Sequence, residues 1–193
     1  DTAVTALCQQ AGVIRTDTLE EMFDVAMLLG NQPVPRGNRV GIVTNAGGPG
    51  IMASDACESH GLEIPSLADD TVAALREFLP AEASTKNPVD MIASATPESF
   101  ERAVRIVAND PNVDSLIVLY VPPIVTNAGD VAQAIVRGSI AAKADLKAKG
   151  LEPKPLVSCF LGSHGLPDEL RSLQAEDIPS YTFPEASAIA MSR

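Results

Sequence analysis

The sequence has few of the side chains on which acid–base, redox or base-stacking chemistry depends. Its 193 residues include no tryptophan, two tyrosines and two histidines. The three cysteines, Cys8, Cys57 and Cys159, lack the C-x-x-C spacing that is typical of a zinc site. A sparse, odd-numbered set indicates reduced thiols rather than a disulfide framework, which favours a cytoplasmic protein. We therefore predict no metal site and no disulfide.

The chain also lacks an excess of positive charge and any long apolar run. It has 14 basic and 25 acidic residues, a net charge of −11, whereas a nucleic-acid surface needs clustered Lys and Arg. No apolar run approaches the roughly 20 residues that span a bilayer. These features argue against nucleic acid and membrane as partners, and 46% hydrophobic residues indicate a globular domain. Because the chain begins with Asp1 and not Met, we expect a processed or truncated piece.

Strand patterns alternate with helix patterns from residue 39 onward. Residues 39–44, 115–121 and 155–161 are apolar on both faces, which is typical of parallel strands that helices cover on both sides. Shorter strands are predicted at residues 62–64 and 180–183. This alternation predicts an α/β fold: a doubly wound, parallel, five-stranded sheet with right-handed crossovers, in which the first strand is central.

Residues 1–38 differ from the rest of the chain and predict an N-terminal helical arm and linker, which leaves residues 39–193 as the α/β domain. The second helix of the arm is predicted to be capped by Asp17. Its apolar residues recur at helical spacing and share one face. They are Leu19, Met22, Phe23, Ala26 and Leu29. The segment is either the tail of a preceding domain or an arm packed on this one.

A glycine-rich turn follows the first strand of the α/β domain. Residues 45–50 (NAGGPG) lead into a helix predicted from about residue 51 to residue 60. Glycines at this position leave backbone N–H groups unshielded at the positive end of a helix dipole, which is an arrangement suited to a phosphate. A tight strand-to-helix turn without a ligand explains the same residues equally well.

Known nucleotide-binding motifs fit this turn poorly. Gly48, Gly50 and Ala53 match the dinucleotide pattern G-x-G-x-x-A. That fold needs an acidic residue at the end of the next strand, where Pro65 and Ser66 stand instead. A P-loop is excluded because no Gly-Lys-Ser/Thr follows the glycines. The scarcity of aromatic residues also argues against a flavin.

Other candidate residues follow the predicted strands, because ligands of open parallel sheets bind beyond the carboxyl ends of the strands. Asn87 precedes a proline that fixes a turn before Asp90, and the Asp90 carboxylate either binds a ligand or stabilises that turn. His164 follows a buried strand, and a loop role is favoured over catalysis. His60 ends a helix, where a charge–dipole interaction is favoured over chemistry.

Several of these segments together resemble the NDP-forming acyl-CoA synthetases, which include ADP-forming acetyl-CoA synthetase and, more distantly, succinyl-CoA synthetase. The resemblance is carried by residues 10–15, 19–21, 41–50 (GIVTNAGGPG), 80–84, 87–90 (NPVD) and 114–123. It implies the second flavodoxin-like, succinyl-CoA synthetase-like CoA-ligase domain of that family. The same module occurs in large bacterial protein lysine acetyltransferases.

The resemblance implies a reaction that joins a carboxylic acid to CoA with ATP or GTP and Mg²⁺, through an acyl phosphate and a phosphohistidine. It implies that the histidine lies upstream of Asp1, so that no catalytic residue and no tightly bound cofactor are expected in this chain. The implied partners are CoA-binding, phosphohistidine and ATP-grasp domains and a small carboxylic acid. A non-catalytic acyl-CoA-sensing or regulatory module of an acetyltransferase is the alternative.

Two groups of site residues follow from the resemblance. The phosphate-binding residues are Asn45, Ala46, Gly47, Gly48, Pro49 and Gly50. The residues at the substrate edge are Asn87, Asp90, Pro122, Pro123, Ile124 and Val125. The succinyl-CoA synthetase counterpart carries glycines where this chain has the two prolines, and prolines offer no backbone donor to an acyl group.

Overall fold

The computed structural model describes residues 2–123, 127–162 and 170–193. Within these ranges the strands are β1 Val40–Thr44, β2 Val89–Asp90, β3 Ser115–Tyr120, β4 Leu156–Phe160 and β5 Ser180–Tyr181. The helices are α1 Thr2–Gln10, α2 Leu19–Asn31, α3 Gly47–Ser59, α4 Asp69–Arg76, α5 Pro97–Ala108, α6 Ala128–Ala148, α7 Arg171–Ala175 and α8 Pro184–Ser192. No helix in the described ranges has the length and apolar character needed to cross a membrane.

All five strands are parallel and lie in the order β2-β1-β3-β4-β5, which confirms the predicted α/β fold. β1 is an interior strand, as predicted, although β3 holds the middle position. Alternate side chains along each strand enter two separate cores, because successive residues point to opposite faces. Val43 and Val118 pack with α4, α5 and α6, whereas Ile42 and Leu119 pack with α3 and α8.

The prediction of a strand at residues 62–64 is wrong. The sheet still has five strands, because β2 at residues 89–90 pairs with β1 instead. At residues 62–64 only one pair of residues, Arg39 and Glu63, forms a bridge. The side chain of Asn87 occupies the same edge of β1: its Nδ2 donates to the Val40 carbonyl oxygen (2.8 Å) and its Oδ1 accepts from the Ile42 N–H (2.9 Å). Because the Val40 carbonyl and the Ile42 N–H are bonded to this amide, the bridge at Glu63 does not continue into a strand.

Helix caps differ from the sequence predictions in two places. α2 is capped by Thr18 rather than Asp17, since the Thr18 side chain accepts from the Glu21 N–H (3.1 Å). The Glu21 carboxylate in turn accepts from the Asp17 N–H (2.9 Å), an arrangement close to a capping box. The predicted helix after the glycine turn begins at Gly47 and not near residue 51. Its first turn is therefore made of the glycines themselves.

An ion pair between Arg39 and Asp114 lies at the amino end of β1. The Arg39 guanidinium donates to both carboxylate oxygens of Asp114 (2.8 and 2.7 Å), and the side chain of Asp114 is only 13% exposed. These bonds hold the pKa of Asp114 below its usual value. The carboxylate is thus ionised in the folded state at a pH where an unfolded Asp would be protonated.

We expect Asp114 to make the fold sensitive to acid. A lowered folded-state pKa gives stability that is present above the unfolded pKa of about 3.9 and is lost as pH falls through the folded value. Urea unfolding of the wild type and of Asp114→Asn should therefore show the largest difference in free energy near pH 7. That difference should shrink below about pH 4. A difference that stays constant from pH 7 to pH 3 would contradict this assignment.

Candidate functional site

The candidate site lies where β1 ends and α3 begins. Ala46 is the N-cap of α3, and it offers no side-chain acceptor to the first turn. The turn is fixed by Thr44, whose hydroxyl group lies 3.1 Å from both the N–H and the carbonyl oxygen of Ala46. Thr44 is itself fully buried. A buried hydroxyl thus stabilises the bend, and the helix terminus stays open above it.

Two backbone donors at this terminus have no acceptor within the described part of the chain. The first bond within α3 runs from the Gly50 N–H to the Ala46 carbonyl oxygen (3.3 Å), and Pro49 has no N–H. This leaves the N–H groups of Gly47 and Gly48, and both residues are exposed. They point along the helix axis at the positive end of the dipole. The geometry is that of a small anion site.

The three glycines serve different purposes. Gly50 is needed for packing, because a Cβ there would lie 3.2 Å from Cγ2 of Thr44 and 3.5 Å from Cβ of Pro88. A Cβ on Gly47 would lie 3.0 Å from the Asp90 carboxylate. A Cβ on Gly48 would meet nothing within 4 Å, and its φ is not in the left-handed region. The fold therefore gives no reason for a glycine at position 48.

The side chain of Asn45 supports the site by bonding to the backbone of Val121. This side chain is 2% exposed, donates to the Val121 carbonyl oxygen (2.8 Å) and accepts from the Val121 N–H (2.9 Å). The amide thereby joins the carboxyl end of β1 to that of β3. With the Val121 N–H bonded, and with no N–H on Pro122 or Pro123, residues 121–123 present no free backbone donor.

Asn87 likewise has its polar atoms bonded to backbone. Besides the two bonds to β1, its Nδ2 donates to the carbonyl oxygen of Pro65 (3.0 Å). Three bonds to main-chain atoms fix the side chain below the site, against the edge of β1. A substrate contact by Asn87 stays a prediction.

The Asp90 carboxylate lies beside the open helix terminus. Its Oδ1 accepts from the Ile92 N–H (2.9 Å), whereas its Oδ2 faces Gly47. Ile92 has a φ of 59°, which is rare for a β-branched residue and costs free energy. The strained turn holds one carboxylate oxygen, so the other lies next to the Gly47 backbone. No sequence pattern marks Ile92 as part of the site, because its role depends on a backbone φ that only the structure gives.

The structure thus brings the start of α3, Asp90 and residues 121–123 to one edge of the sheet. Ile124, Val125 and His164 lie outside the described residues. Within the described ranges no group of His, Cys, Asp and Glu is arranged to hold a metal ion. Cys57 and Cys159 are core residues, and burial raises the pKa of each thiol to about 12.

Comparison with known proteins gives a consistent set of relatives. The model of the family described as the Ligase-CoA domain matches residues 40–192. The chain belongs to the Ligase-CoA domain family. It is 39% identical over 185 residues to the ADP-forming acetate–CoA ligase II subunit alpha of Pyrococcus furiosus, which covers 96% of this chain and 39% of that protein.

Solved structures agree with this family. A crystal structure of a protein from Pyrococcus horikoshii superposes with a TM-score of 0.88 at 36% identity, over 99% of this chain and 42% of that one. A dinucleotide-forming acetyl-coenzyme A synthetase 1 from Candidatus Korarchaeum cryptofilum, solved with phosphate and ADP, gives a TM-score of 0.86 at 27% identity. That match covers 99% of this chain and 39% of the other. This Ligase-CoA domain therefore spans about two-fifths of these proteins.

Proposed function

We propose that this chain is a domain of an NDP-forming acyl-CoA synthetase. The intact enzyme converts a carboxylic acid, CoA and ATP into acyl-CoA, ADP and phosphate, through an acyl phosphate and a phosphohistidine. The observation that carries the proposal is the open first turn of α3, where the N–H groups of Gly47 and Gly48 have no acceptor in the described chain. ADP-forming acetate–CoA ligase activity in the P. furiosus relative supports it.

In this proposal the Gly47 and Gly48 donors hold the phosphoryl group of a phosphohistidine that another domain carries. A helix N-terminus stabilises an anion by roughly 0.3–1 kcal/mol when exposed and up to ~2 kcal/mol when partly buried. That is too little for tight binding of free phosphate. Attachment to a docked domain raises the local concentration of the phosphoryl group, so weak contacts suffice. CoA and ATP with its Mg²⁺ bind to domains outside this chain.

Asp90 adds a chemical preference to the site. A carboxylate beside the Gly47 backbone repels free phosphate, which carries negative charge on every side. A phosphorylated imidazole differs, because protonation of its other ring nitrogen provides an N–H donor next to the phosphoryl group. The Asp90 Oδ2 accepts that hydrogen bond and favours the protonated ring. A protonated ring leaves as neutral imidazole when its phosphoryl group is transferred.

The test is phosphoenzyme formation. With radiolabelled ATP, the intact protein should form an acid-labile phosphohistidine, and the 193-residue chain alone should form none. The reason is that the chain provides only the phosphate-holding half of the site. Peptide mapping of the label identifies the histidine. Labelling of the isolated chain at His164 would overturn the proposal, and an unlabelled intact protein would favour a regulatory module.

A further inference from the structure

The exposed apolar side chains of this molecule are concentrated in the N-terminal arm. Of the fourteen large hydrophobic residues that are exposed in the described chain, nine lie between residues 4 and 34. Isolated exposed apolar residues are ordinary, but a contiguous group marks an interaction site. The arm face, as defined here, is the apolar face predicted for α2: Leu19, Met22, Phe23, Ala26 and Leu29.

The arm face points to solvent, not to the core of its own domain. Leu19 is 71% exposed and Phe23 is 65% exposed. α2 packs beside α8, and its buried residues are Val25 and Leu28, of which Leu28 belongs to the core that α8 lines. Helical periodicity thus predicted the apolar face correctly, but the domain does not cover it.

Polar contacts prevent α2 from rolling this face inward. The Tyr181 hydroxyl donates to the Asp24 carbonyl oxygen (2.9 Å), and the Arg193 guanidinium donates to the Glu21 carboxylate (2.6 Å). At the end of the helix, Gln32 is buried and accepts from the Leu156 N–H (2.9 Å). Three contacts along one side of the helix fix its rotation, so the arm face stays outward.

The charges around the arm face favour a basic partner. Asp17 and Glu20 are exposed beside it, and no Lys or Arg occurs between residues 16 and 35. A second copy of the chain would bring the same acidic border, on a protein of net charge −11, against the first. An apolar surface with a rim of Lys and Arg is complementary in both respects.

The lengths of the relatives indicate where that surface is found. The family model begins at residue 40, after the arm, yet the relatives match 96–99% of this chain and so include the arm. About three-fifths of each relative lies outside the match. We propose that the arm face docks on another domain of the acyl-CoA synthetase, through an apolar patch with a basic rim. This inference rests on the proposed function and adds the surface by which the domain joins its partner.

Cysteine labelling tests the docking. The reporter is Phe23→Cys in a Cys8→Ser background, since Cys57 and Cys159 are buried. Ile140→Cys is the control, because Ile140 is 48% exposed on α6, away from the arm. In the isolated chain both reporters should react rapidly with a maleimide. In the intact multidomain protein the reporter at position 23 should react at least tenfold more slowly, with the control unchanged.

Two further results decide the partner. Charge reversal of the border by Glu20→Lys in the intact protein should speed labelling at position 23 at least threefold, and unchanged labelling would overturn the basic rim. Equal labelling at position 23 in both proteins would overturn the docking, as would protection in an isolated chain that sediments as a dimer. Labelling needs no turnover, so its failure is distinct from failure of phosphoenzyme formation.

Discussion

Replacing Gly48 with valine is expected to lower phosphoenzyme formation in the intact protein by up to about 30-fold while the domain stays folded. A helix N-terminus stabilises a partly buried anion by up to ~2 kcal/mol, and loss of that contribution corresponds to a factor of about 30. Side chains of a helix tilt toward its N-terminus, so the branched Cβ of valine would cover the donors of the first turn. The new side chain meets no atom within 4 Å of its Cβ, and φ at Gly48 is outside the left-handed region. Neither packing nor backbone strain therefore accounts for a loss.

The control is Ala148→Val. Ala148 is an exposed residue at the end of α6, so the change adds a valine to a helix end that lies outside both the candidate site and the arm face. Both variants should have near-wild-type circular dichroism and melting temperatures. Only the variant at position 48 should lose the acid-labile phosphohistidine. Equal phosphoenzyme levels in the two variants would mean that the glycines form a turn and bind nothing.

The parts of the fold that were predicted correctly rest on local patterns. β3 and β4 are runs of apolar residues on both faces, and such runs identify buried parallel strands from sequence alone. Thr96 caps α5 and Pro97 is its first residue, and such capping likewise depends on residues close in sequence. Where a side chain from elsewhere decided the structure, prediction failed.

Asn87 and Asn45 are the clearest examples of that limit. Asn87 lies 45 residues from its partner Ile42. Its amide bonds the part of the β1 edge that the strand predicted at residues 62–64 would need. Asn45 lies 76 residues from Val121, so its buried side chain could not be distinguished from an anion ligand by sequence. The start of α3 was placed late because glycine and proline usually interrupt helices, although both are tolerated in a first turn.

Gly138→Ala is expected to destabilise the domain by about 2 kcal/mol, because overpacking of a core costs typically 1–3 kcal/mol. For a domain of this size that corresponds to a melting temperature roughly 4–8 °C lower. Gly138 lies at the crossing of α6 and α5, where a Cβ would come within 2.6 Å of the Glu101 carbonyl oxygen and 3.0 Å of Cβ of Val104. The nearest atom belongs to the backbone of α5, so a change of rotamer cannot relieve the contact.

Helix propensity acts in the opposite direction, which makes the outcome decisive. Alanine is favoured over glycine in a helix interior by about 1 kcal/mol, so propensity alone predicts that Gly138→Ala stabilises α6. Gly30→Ala isolates that term, since its Cβ meets nothing, and a gain of about 0.4–1 kcal/mol is expected there. Urea unfolding of the two variants should therefore give shifts of opposite sign. If both variants are stabilised, α5 and α6 can move apart at no cost in the free energy of unfolding. That result would contradict the prediction that their close packing stabilises the domain.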